Sequence, residues 1–230
     1  MALEDGDDIA VGAALGVACG LVFWLFNFAY AWLSPIIGGI LPGLASILYP
    51  LWYFSGTLAV IILRKPGAAV YVNLVGSAAE MLLGNQFSFG FASAALQGVF
   101  AELPFALTRY RVFNLPISMM SGALVALEYG VYLMLFRYQG VSFLSPRGVI
   151  HMISELVGGV LIAGLMSWYL YRAIAATGAL DRFASGRARR DDADCLRSAV
   201  VRMPPVDEHP GKRPAVCLDY RGRPRTGVGL

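Results

Sequence analysis

The sequence contains few charged residues. Asp, Glu, Lys and Arg make up 14% of its 230 residues, whereas 57% of the residues are hydrophobic. Soluble domains average about 25% charged residues, so this composition excludes an ordinary soluble globular protein. A run of roughly 20 apolar residues is long enough to cross a bilayer as a helix, and several such runs occur. The composition therefore predicts a membrane protein.

Motifs of the common enzyme classes are missing. The chain has no G-x-x-x-x-G-K-[ST] phosphate loop, no H-E-x-x-H motif and no G-x-S-x-G nucleophile elbow. Its two histidines and three cysteines form no metal-binding or disulfide pattern. We therefore expect no catalytic residues, no metal site, no cofactor and no ATP hydrolysis by this chain. A membrane enzyme that uses Glu and His as acid and base remains an alternative.

Six apolar segments are long enough to form membrane helices, at residues 8–33, 44–64, 67–84, 89–110, 114–137 and 147–177. They predict an all-α membrane protein with one transmembrane substrate-binding domain over residues 1–178. Residues 179–230 hold 11 of the 18 Lys and Arg residues and 7 of the 15 Asp and Glu residues. That composition predicts a disordered cytoplasmic tail. Its alternating charges and few aromatic residues argue against nucleic-acid binding.

The basic residues between the segments are distributed unequally. One side of the predicted bundle has Arg64, Lys65, Arg109, Arg111 and Arg172, and the opposite side has Arg137 and Arg147. Loops rich in Lys and Arg stay in the cytoplasm. We therefore expect a multi-pass protein of the cell membrane, with both termini in the cytoplasm.

Four carboxylates lie inside the apolar segments, and no lysine or arginine lies there with them. These residues are Glu80, Glu102, Glu128 and Glu155. A charge at membrane depth costs at least a few kcal/mol, so such a residue is a functional candidate. The missing positive charge would come from a ligand or from a proton. A proton-coupled carrier that acts alone is therefore a second alternative.

Several candidate ligand contacts share one depth. Counted from the predicted outer ends of their segments, Trp52, Gln97, Glu128 and Glu155 lie at about the same level of the outer leaflet. This coincidence predicts a substrate-binding pocket that opens to the outside and has an aromatic wall and acidic groups. The other predicted substrate-binding residues are Tyr53, Asn73, Glu80, Tyr132 and His151. Glu102 lies deeper, seven residues before Arg109, and a structural role toward the cytoplasmic arginines is favoured for it.

The first segment carries two interleaved series of small residues. One comprises Ala10, Ala14 and Ala18, and the other comprises Gly12, Gly16 and Gly20. Small residues spaced by four let helices approach closely in a membrane. We expect a partner interface at Ala10, Ala14, Ala18, Gly12 and Gly16, with packing inside the bundle as the alternative. One series could serve the bundle and the other a partner.

The connection between the first two segments is apolar but rich in Gly and Pro. It spans residues 34–43 and is too often interrupted by these residues to predict a helix that crosses the membrane. Its predicted position is on the outer side, beside the proposed pocket. It is interpreted as a lid, with an ordinary apolar connector as the alternative.

Several short stretches resemble the YkoE-like family. They are Leu51-Trp52-Tyr53-Phe54, Ile61-Ile62-Leu63-Arg64-Lys65-Pro66-Gly67-Ala68-Ala69, Glu80 with Leu83-Gly84, Gln97-Gly98, Ala101-Glu102-Leu103, Phe105-Ala106-Leu107 and Arg109-Tyr110. The similarity covers about residues 8–178. Members of this family are substrate-binding S components of energy-coupling-factor (ECF) transporters for thiamine or its hydroxymethylpyrimidine precursor.

The resemblance implies a six-helix bundle with a pocket that opens outward. It also implies docking onto a transmembrane coupling protein that sits on two ATPase subunits, which would account for the missing phosphate loop. In such transporters the alanine-rich face of the first helix contacts the coupling protein, and the first loop commonly closes over the ligand. Thiamine contains a permanently cationic thiazolium ring and a flat aminopyrimidine ring, so acids and aromatic residues suit it.

Overall fold

The computed structural model describes residues 6–84 and 87–178, which form helices joined by short turns. The described helices are α1 (Gly6–Ile40), a 3-10 helix (Leu44–Trp52), α2 (Phe54–Leu63), α3 (Ala68–Leu82), α4 (Phe87–Leu107), α5 (Leu115–Phe136), α6 (Pro146–Gly158), a π-helical segment (Gly159–Met166) and α7 (Ser167–Ala176). These residues contain no β-strand. The predicted tail at 179–230 lies outside the described residues.

Each of the six predicted segments corresponds to a helix or to a continuous run of helices. Four of these stretches are long and apolar enough to cross a membrane: Ile9–Ile40, Leu44–Leu63, Leu115–Phe136 and Pro146–Ala176. Two shorter apolar helices, Ala68–Leu82 and Phe91–Leu107, pack among them. The prediction of an all-α membrane fold is confirmed, because the described residues form helices and four stretches of them are long and apolar enough to cross a membrane.

The predicted helix break at residues 34–43 is wrong for most of its length. Helix α1 continues through Pro35 to Ile40. A proline removes one backbone donor and bends a helix, but apolar surroundings offer the neighbouring backbone groups no water as an alternative partner. The chain turns only at Gly43, whose φ of 98° lies in the left-handed region that glycine adopts without strain.

The glycine series of α1 packs against α3. A Cβ at Gly16 would lie 2.7 Å from the Val75 side chain, and one at Gly20 would lie 2.6 Å from the Gly76 carbonyl oxygen. The alanine series (Ala10, Ala14 and Ala18) is instead exposed on the surface of the bundle. The two series therefore differ in role, since the glycines allow close helix packing inside the protein.

Glu102 holds the first turn of α3. Its two carboxylate oxygens accept hydrogen bonds from the backbone amides of Gly67 at 2.9 Å and Ala69 at 2.8 Å. The Tyr110 hydroxyl donates a third bond at 3.1 Å. Burial and the neighbouring Glu102 carboxylate raise the pKa of Tyr110 to about 12, so this hydroxyl keeps its proton. The role of Glu102 is structural, but these partners are helix amides rather than the expected arginines.

Close backbone contacts fix the 3-10 helix against α6. A Cβ at Gly43, just before the 3-10 helix, would lie 2.8 Å from the Arg147 carbonyl oxygen. A Cβ at Gly158, at the end of α6, would lie 2.4 Å from the Ile47 carbonyl oxygen. Only glycine permits such approaches. The side chains of the 3-10 helix and α6 are therefore held face to face.

Candidate functional site

A cavity of about 430 Å³ lies at the end of the bundle where α1 terminates. This volume is within the range of small-molecule sites. Its lining comes from α1, the following turn, the 3-10 helix, α5, the α5–α6 connection and α6: Tyr30, Ser34, Pro35, Gly38, Pro42, Gly43, Ala45, Ser46, Tyr49, Met134, Tyr138, Val141, Arg147 and His151. The segment interpreted as a lid thus contributes several residues to the cavity wall.

Three tyrosine hydroxyl groups form a chain across this cavity. Tyr30 donates to the Tyr49 hydroxyl at 3.0 Å, and the hydroxyls of Tyr49 and Tyr138 lie 2.6 Å apart. The three residues come from α1, the 3-10 helix and the α5–α6 connection. A hydroxyl both donates and accepts, so the chain can reorient its protons to suit a ligand. The apolar faces of the same rings suit a flat aromatic molecule.

His151 provides a nitrogen on the α6 side of the cavity. Its ring is packed edge to face with Tyr49 at 6.1 Å and with Tyr138 at 5.3 Å between centroids. The residue is 4% exposed, and its Nε2 atom has no hydrogen-bond partner among the described residues. Burying a polar atom without a hydrogen-bond partner costs free energy, and a bound ligand that supplies the partner removes this cost. His151 is therefore a candidate ligand contact.

The charge at the mouth of this cavity is positive. Arg147 is exposed, and the central carbon of its guanidinium group lies 5.6 Å from the centroid of the Tyr138 ring, which is within the range of a cation–π contact. No carboxylate is found among the described residues that line the cavity. The cavity thus presents hydroxyl groups, an imidazole and one cation, rather than the acidic lining that the sequence predicted.

The predicted acid Glu155 lies outside the cavity lining, deeper in the bundle. Tyr53 donates a hydrogen bond at 2.7 Å to Oε1 of Glu155, whose side chain is 0% exposed. The Glu155 Oε2 atom is buried and has no hydrogen-bond partner within the described part of the chain. The Tyr129 ring packs edge to face against Tyr53 at 5.6 Å and against Tyr49 at 6.0 Å. Tyr49 and Tyr129 therefore separate the cavity from Glu155.

Helix α5 carries a second acid, Glu128, and a glycine, Gly130, that leaves room for Glu155. Glu128 is half-buried, and its Oε2 atom is enclosed without a hydrogen-bond partner in residues 6–84 and 87–178. Tyr132, one turn further along, has its ring stacked with that of Tyr129 at 6.3 Å. A Cβ at Gly130 would lie 3.3 Å from Cγ of Glu155. The absence of a side chain at Gly130 thus makes room for Glu155.

The other predicted binding residues serve other contacts. Trp52 packs edge to face against Phe26 at 4.7 Å and Tyr30 at 5.1 Å, and it stands behind the cavity wall. Asn73 accepts a hydrogen bond from Ser55 at 2.5 Å and donates one to the Ala94 carbonyl at 3.4 Å.

Glu80 and Gln97 lie on α3 and α4, and neither lines the cavity. The Asn27 side-chain amide donates to Glu80, joining α1 to the end of α3. Gln97 is buried within α4. Of the nine predicted binding residues, His151 lines the described cavity, and Tyr53, Glu128, Tyr132 and Glu155 lie in the layer next to it.

Sequence reasoning missed most of the cavity wall. Tyr30 and Tyr138 lie near the ends of predicted segments, where aromatic residues usually mark the membrane interface. Tyr49 gave a usable signal, because its spacing to Tyr53 in the sequence is that of one face of an α-helix, although the structure has Tyr49 in a 3-10 helix. Arg147 gave no such signal, since a single basic residue between two apolar segments is ordinary in a loop.

A solved structure shares the fold of this chain. A solved structure described as "Crystal structure of an S-component of ECF transporter" matches with a TM-score of 0.75 and 23% sequence identity. The match covers 84% of this chain and 97% of that chain. The chain therefore has the fold of this S component.

The sequence comparisons give the family. Residues 7–128 match the family described as "ABC-type cobalt transport system, permease component", and the chain belongs to this family. A curated relative from Bacillus subtilis (strain 168), "Putative HMP/thiamine permease protein YkoE", is 27% identical over 182 residues. That alignment covers 78% of this chain and 89% of the relative. The resemblance to YkoE-like S components is confirmed, and neither relative is described as an enzyme.

Proposed function

We propose that this chain is the substrate-specificity subunit of an ECF-type importer and captures thiamine or hydroxymethylpyrimidine. The cavity of about 430 Å³ is the observation that carries the proposal. Its tyrosine hydroxyls and His151 offer hydrogen-bond donors and acceptors beside aromatic faces. An aminopyrimidine is flat and has both donor and acceptor positions on its edge, so this wall suits it. The name of the Bacillus relative supports the same ligands.

The basic residues support an orientation of the chain in the membrane. The end of the bundle opposite the cavity has Arg64, Lys65, Arg109, Arg111 and Arg172. Such a bias supports a cytoplasmic location for that end and for both chain termini. The cavity then opens to the outside, where a nutrient is captured.

Partner subunits would supply the energy for uptake. The chain has no phosphate loop, so ATP hydrolysis falls to two ATPase subunits that act through a transmembrane coupling protein. The exposed alanine series, Ala10, Ala14 and Ala18, is the proposed docking surface. Gly12 and Gly16 are buried against α3 and are no longer part of that surface.

Calorimetric titration of the purified chain tests the proposed ligands. Hydroxymethylpyrimidine or thiamine is expected to bind, whereas riboflavin and biotin are not, because their ring systems differ in size and hydrogen-bonding edge. A chain that binds riboflavin or biotin but neither proposed ligand would overturn the assignment. Uptake in cells that express this chain with and without the ATPase subunits separates the importer from a carrier that acts alone.

A further inference from the structure

The described lining of the cavity includes one permanently charged side chain, that of Arg147, and it includes no Asp or Glu. Within residues 6–84 and 87–178, no carboxylate forms an ion pair with this guanidinium group. An arginine side chain keeps its positive charge in proteins. The described residues around the mouth of the cavity therefore do not compensate its charge.

The position of Arg147 directs its charge toward the cavity. It is the second residue of α6 (Pro146–Gly158) and lies one turn before His151, so both side chains reach the cavity from the same face of the helix. Its guanidinium carbon lies 5.6 Å from the centroid of Tyr138, whose hydroxyl belongs to the tyrosine chain. The start of a helix also has the positive end of the helix dipole. The guanidinium group and the dipole thus act on a ligand with the same sign.

The aromatic wall and the nearby acid do not offset this positive charge. Tyrosine rings attract cations, but the Arg147 guanidinium group already lies over the Tyr138 ring. Glu155 is fully buried and lies outside the described lining. A buried carboxyl group that keeps its proton is neutral, so this acid requires no cationic ligand. A ligand in the cavity therefore meets a positive charge and, among the described lining residues, no negative one.

We infer that Arg147 is a specificity-determining residue, which makes the cavity take uncharged hydroxymethylpyrimidine rather than cationic thiamine. The inference rests on the proposed function and deepens it by choosing between its two ligands. A cavity of about 430 Å³ is about 9 Å across, so a cationic ring inside it lies within about one Debye length of the guanidinium group. Two positive charges at that distance repel each other. The neutral pyrimidine uses the same tyrosine hydroxyls without this cost.

Calorimetric titration of the full chain tests the preference with two ligands of the same shape. Deazathiamine has a neutral thiophene ring where thiamine has its thiazolium ring, so the ratio of their affinities reports the effect of charge. The parent chain is expected to bind hydroxymethylpyrimidine and deazathiamine more tightly than thiamine. Arg147→Gln removes the charge and is expected to shift the ratio toward thiamine by about three- to tenfold. Hydroxymethylpyrimidine affinity should change by less than about twofold.

Ionic strength gives a second reading of the same effect. The Debye length falls from about 10 Å at 0.1 M salt to about 3 Å at 1 M salt. The higher salt concentration should therefore move the parental ratio toward that of Arg147→Gln and leave the ratio of the variant nearly unchanged. Loss of side-chain packing against Tyr138 would not produce this dependence on salt.

Arg137→Gln is the matched control. Arg137 is also exposed, lies at the end of α5, and is not among the residues that line the cavity. Its replacement removes the same charge from the same end of the bundle, and the ratio should stay within about twofold of the parental value. A shift as large as that of Arg147→Gln overturns the inference, because a change of net charge would then be sufficient.

The remaining outcomes separate the inference from the proposed function. If the parent chain binds neither hydroxymethylpyrimidine nor thiamine, the proposed function itself is wrong. If the parent chain binds thiamine more tightly than deazathiamine, or if Arg147→Gln leaves the ratio unchanged, the inference is wrong and the proposed function stands. The same holds if the variant weakens all three ligands equally, since Arg147 would then only support the cavity wall. If Arg147→Gln does not fold, the salt dependence of the parental ratio decides, and a constant ratio overturns the inference.

Discussion

The Tyr53 hydroxyl donates a hydrogen bond at 2.7 Å to one carboxylate oxygen of Glu155, on a different part of the chain 102 residues away. Both side chains are 0% exposed. A buried carboxylate is tolerated where hydrogen bonds and opposite charges compensate its lost hydration. In this structure Tyr53 provides one such bond, so the pair joins the 3-10 helix region to α6 directly below the cavity.

Removing the Tyr53 hydroxyl is expected to destabilise the bundle. Tyr53→Phe keeps the ring packing against Tyr129 but leaves the Glu155 carboxylate without its hydrogen-bond donor. The expected loss is about 1–3 kcal/mol of unfolding free energy. Thermal unfolding in detergent measures it as a lower midpoint. Tyr169→Phe, at an exposed position on α7, is the control and should leave the midpoint unchanged. Equal midpoints for both variants would contradict this role of Tyr53.

The two small-residue series of α1 are expected to respond differently to a larger side chain. Gly16→Leu places atoms where the Val75 side chain already lies, 2.7 Å from the position of a Cβ. Such overpacking typically costs about 1–3 kcal/mol, so the isolated chain should unfold at a lower temperature. Ala14→Leu lies on the exposed face and should leave the fold intact. It should weaken co-purification with the coupling protein, because it keeps the two helices apart.

Val99→Leu provides the control for this pair of substitutions. Val99 is 55% exposed on α4, away from the alanine series, and the change adds little volume at a position that already has a branched side chain. Both stability and co-purification should match the parent chain. If Ala14→Leu also co-purifies normally, the docking surface lies elsewhere on the bundle.

Neutralising Glu102 is expected to weaken the start of α3 without affecting ligand binding. Glu102→Gln keeps one side-chain oxygen as a hydrogen-bond acceptor. The other oxygen is replaced by an NH2 group, which cannot accept a hydrogen bond from the backbone N–H that it faces. Loss of a helix cap typically costs about 1–2 kcal/mol. Thermal unfolding should show this loss, and the hydroxymethylpyrimidine affinity should stay unchanged. A lost affinity in a folded variant would place the ligand far deeper than the cavity.

The sequence predicted the helices well because apolar length alone identifies a membrane segment. It failed at residues 34–43, where Pro35 and the glycines suggested a break and α1 continues to Ile40. Counting turns along a segment assigned Trp52 and Glu155 a common depth, yet it could not give the rotation of each helix about its axis. Trp52 consequently packs against α1 aromatics, whereas Glu155 meets Tyr53.

The cavity wall was less predictable than the helices for a related reason. Tyr30 and Tyr138 meet Tyr49 through contacts between parts of the chain that are far apart in sequence. No local pattern encodes such a meeting. Glu102 shows the same limit, because its spacing to Arg109 suggested an ion pair while the structure uses its carboxylate to bind the first amides of α3.

The orientation in the membrane can be tested at Lys65. This residue lies in the turn between α2 and α3, at the end of the bundle that is proposed to be cytoplasmic. A membrane-impermeant thiol reagent applied to intact cells should fail to label Lys65→Cys, in a background where the native cysteines are replaced by serine. Gln139→Cys, at an exposed position in the connection beside the cavity, should be labelled. The reverse pattern would place the cavity on the cytoplasmic side.

His151→Phe is expected to separate ligand binding from stability. Phenylalanine keeps an aromatic ring beside Tyr49 and Tyr138 but removes the buried Nε2 atom that has no partner in the described parts of the chain. Removing a buried polar atom in that state relieves a desolvation cost, so the midpoint of thermal unfolding should stay level or rise. A hydrogen bond to the ligand is worth about 1 kcal/mol, and its loss should lower hydroxymethylpyrimidine affinity about fivefold. Calorimetry and thermal unfolding of the same preparation give both readings. If affinity is unchanged, His151 serves only packing, and the tyrosine hydroxyls provide the polar contacts of the cavity.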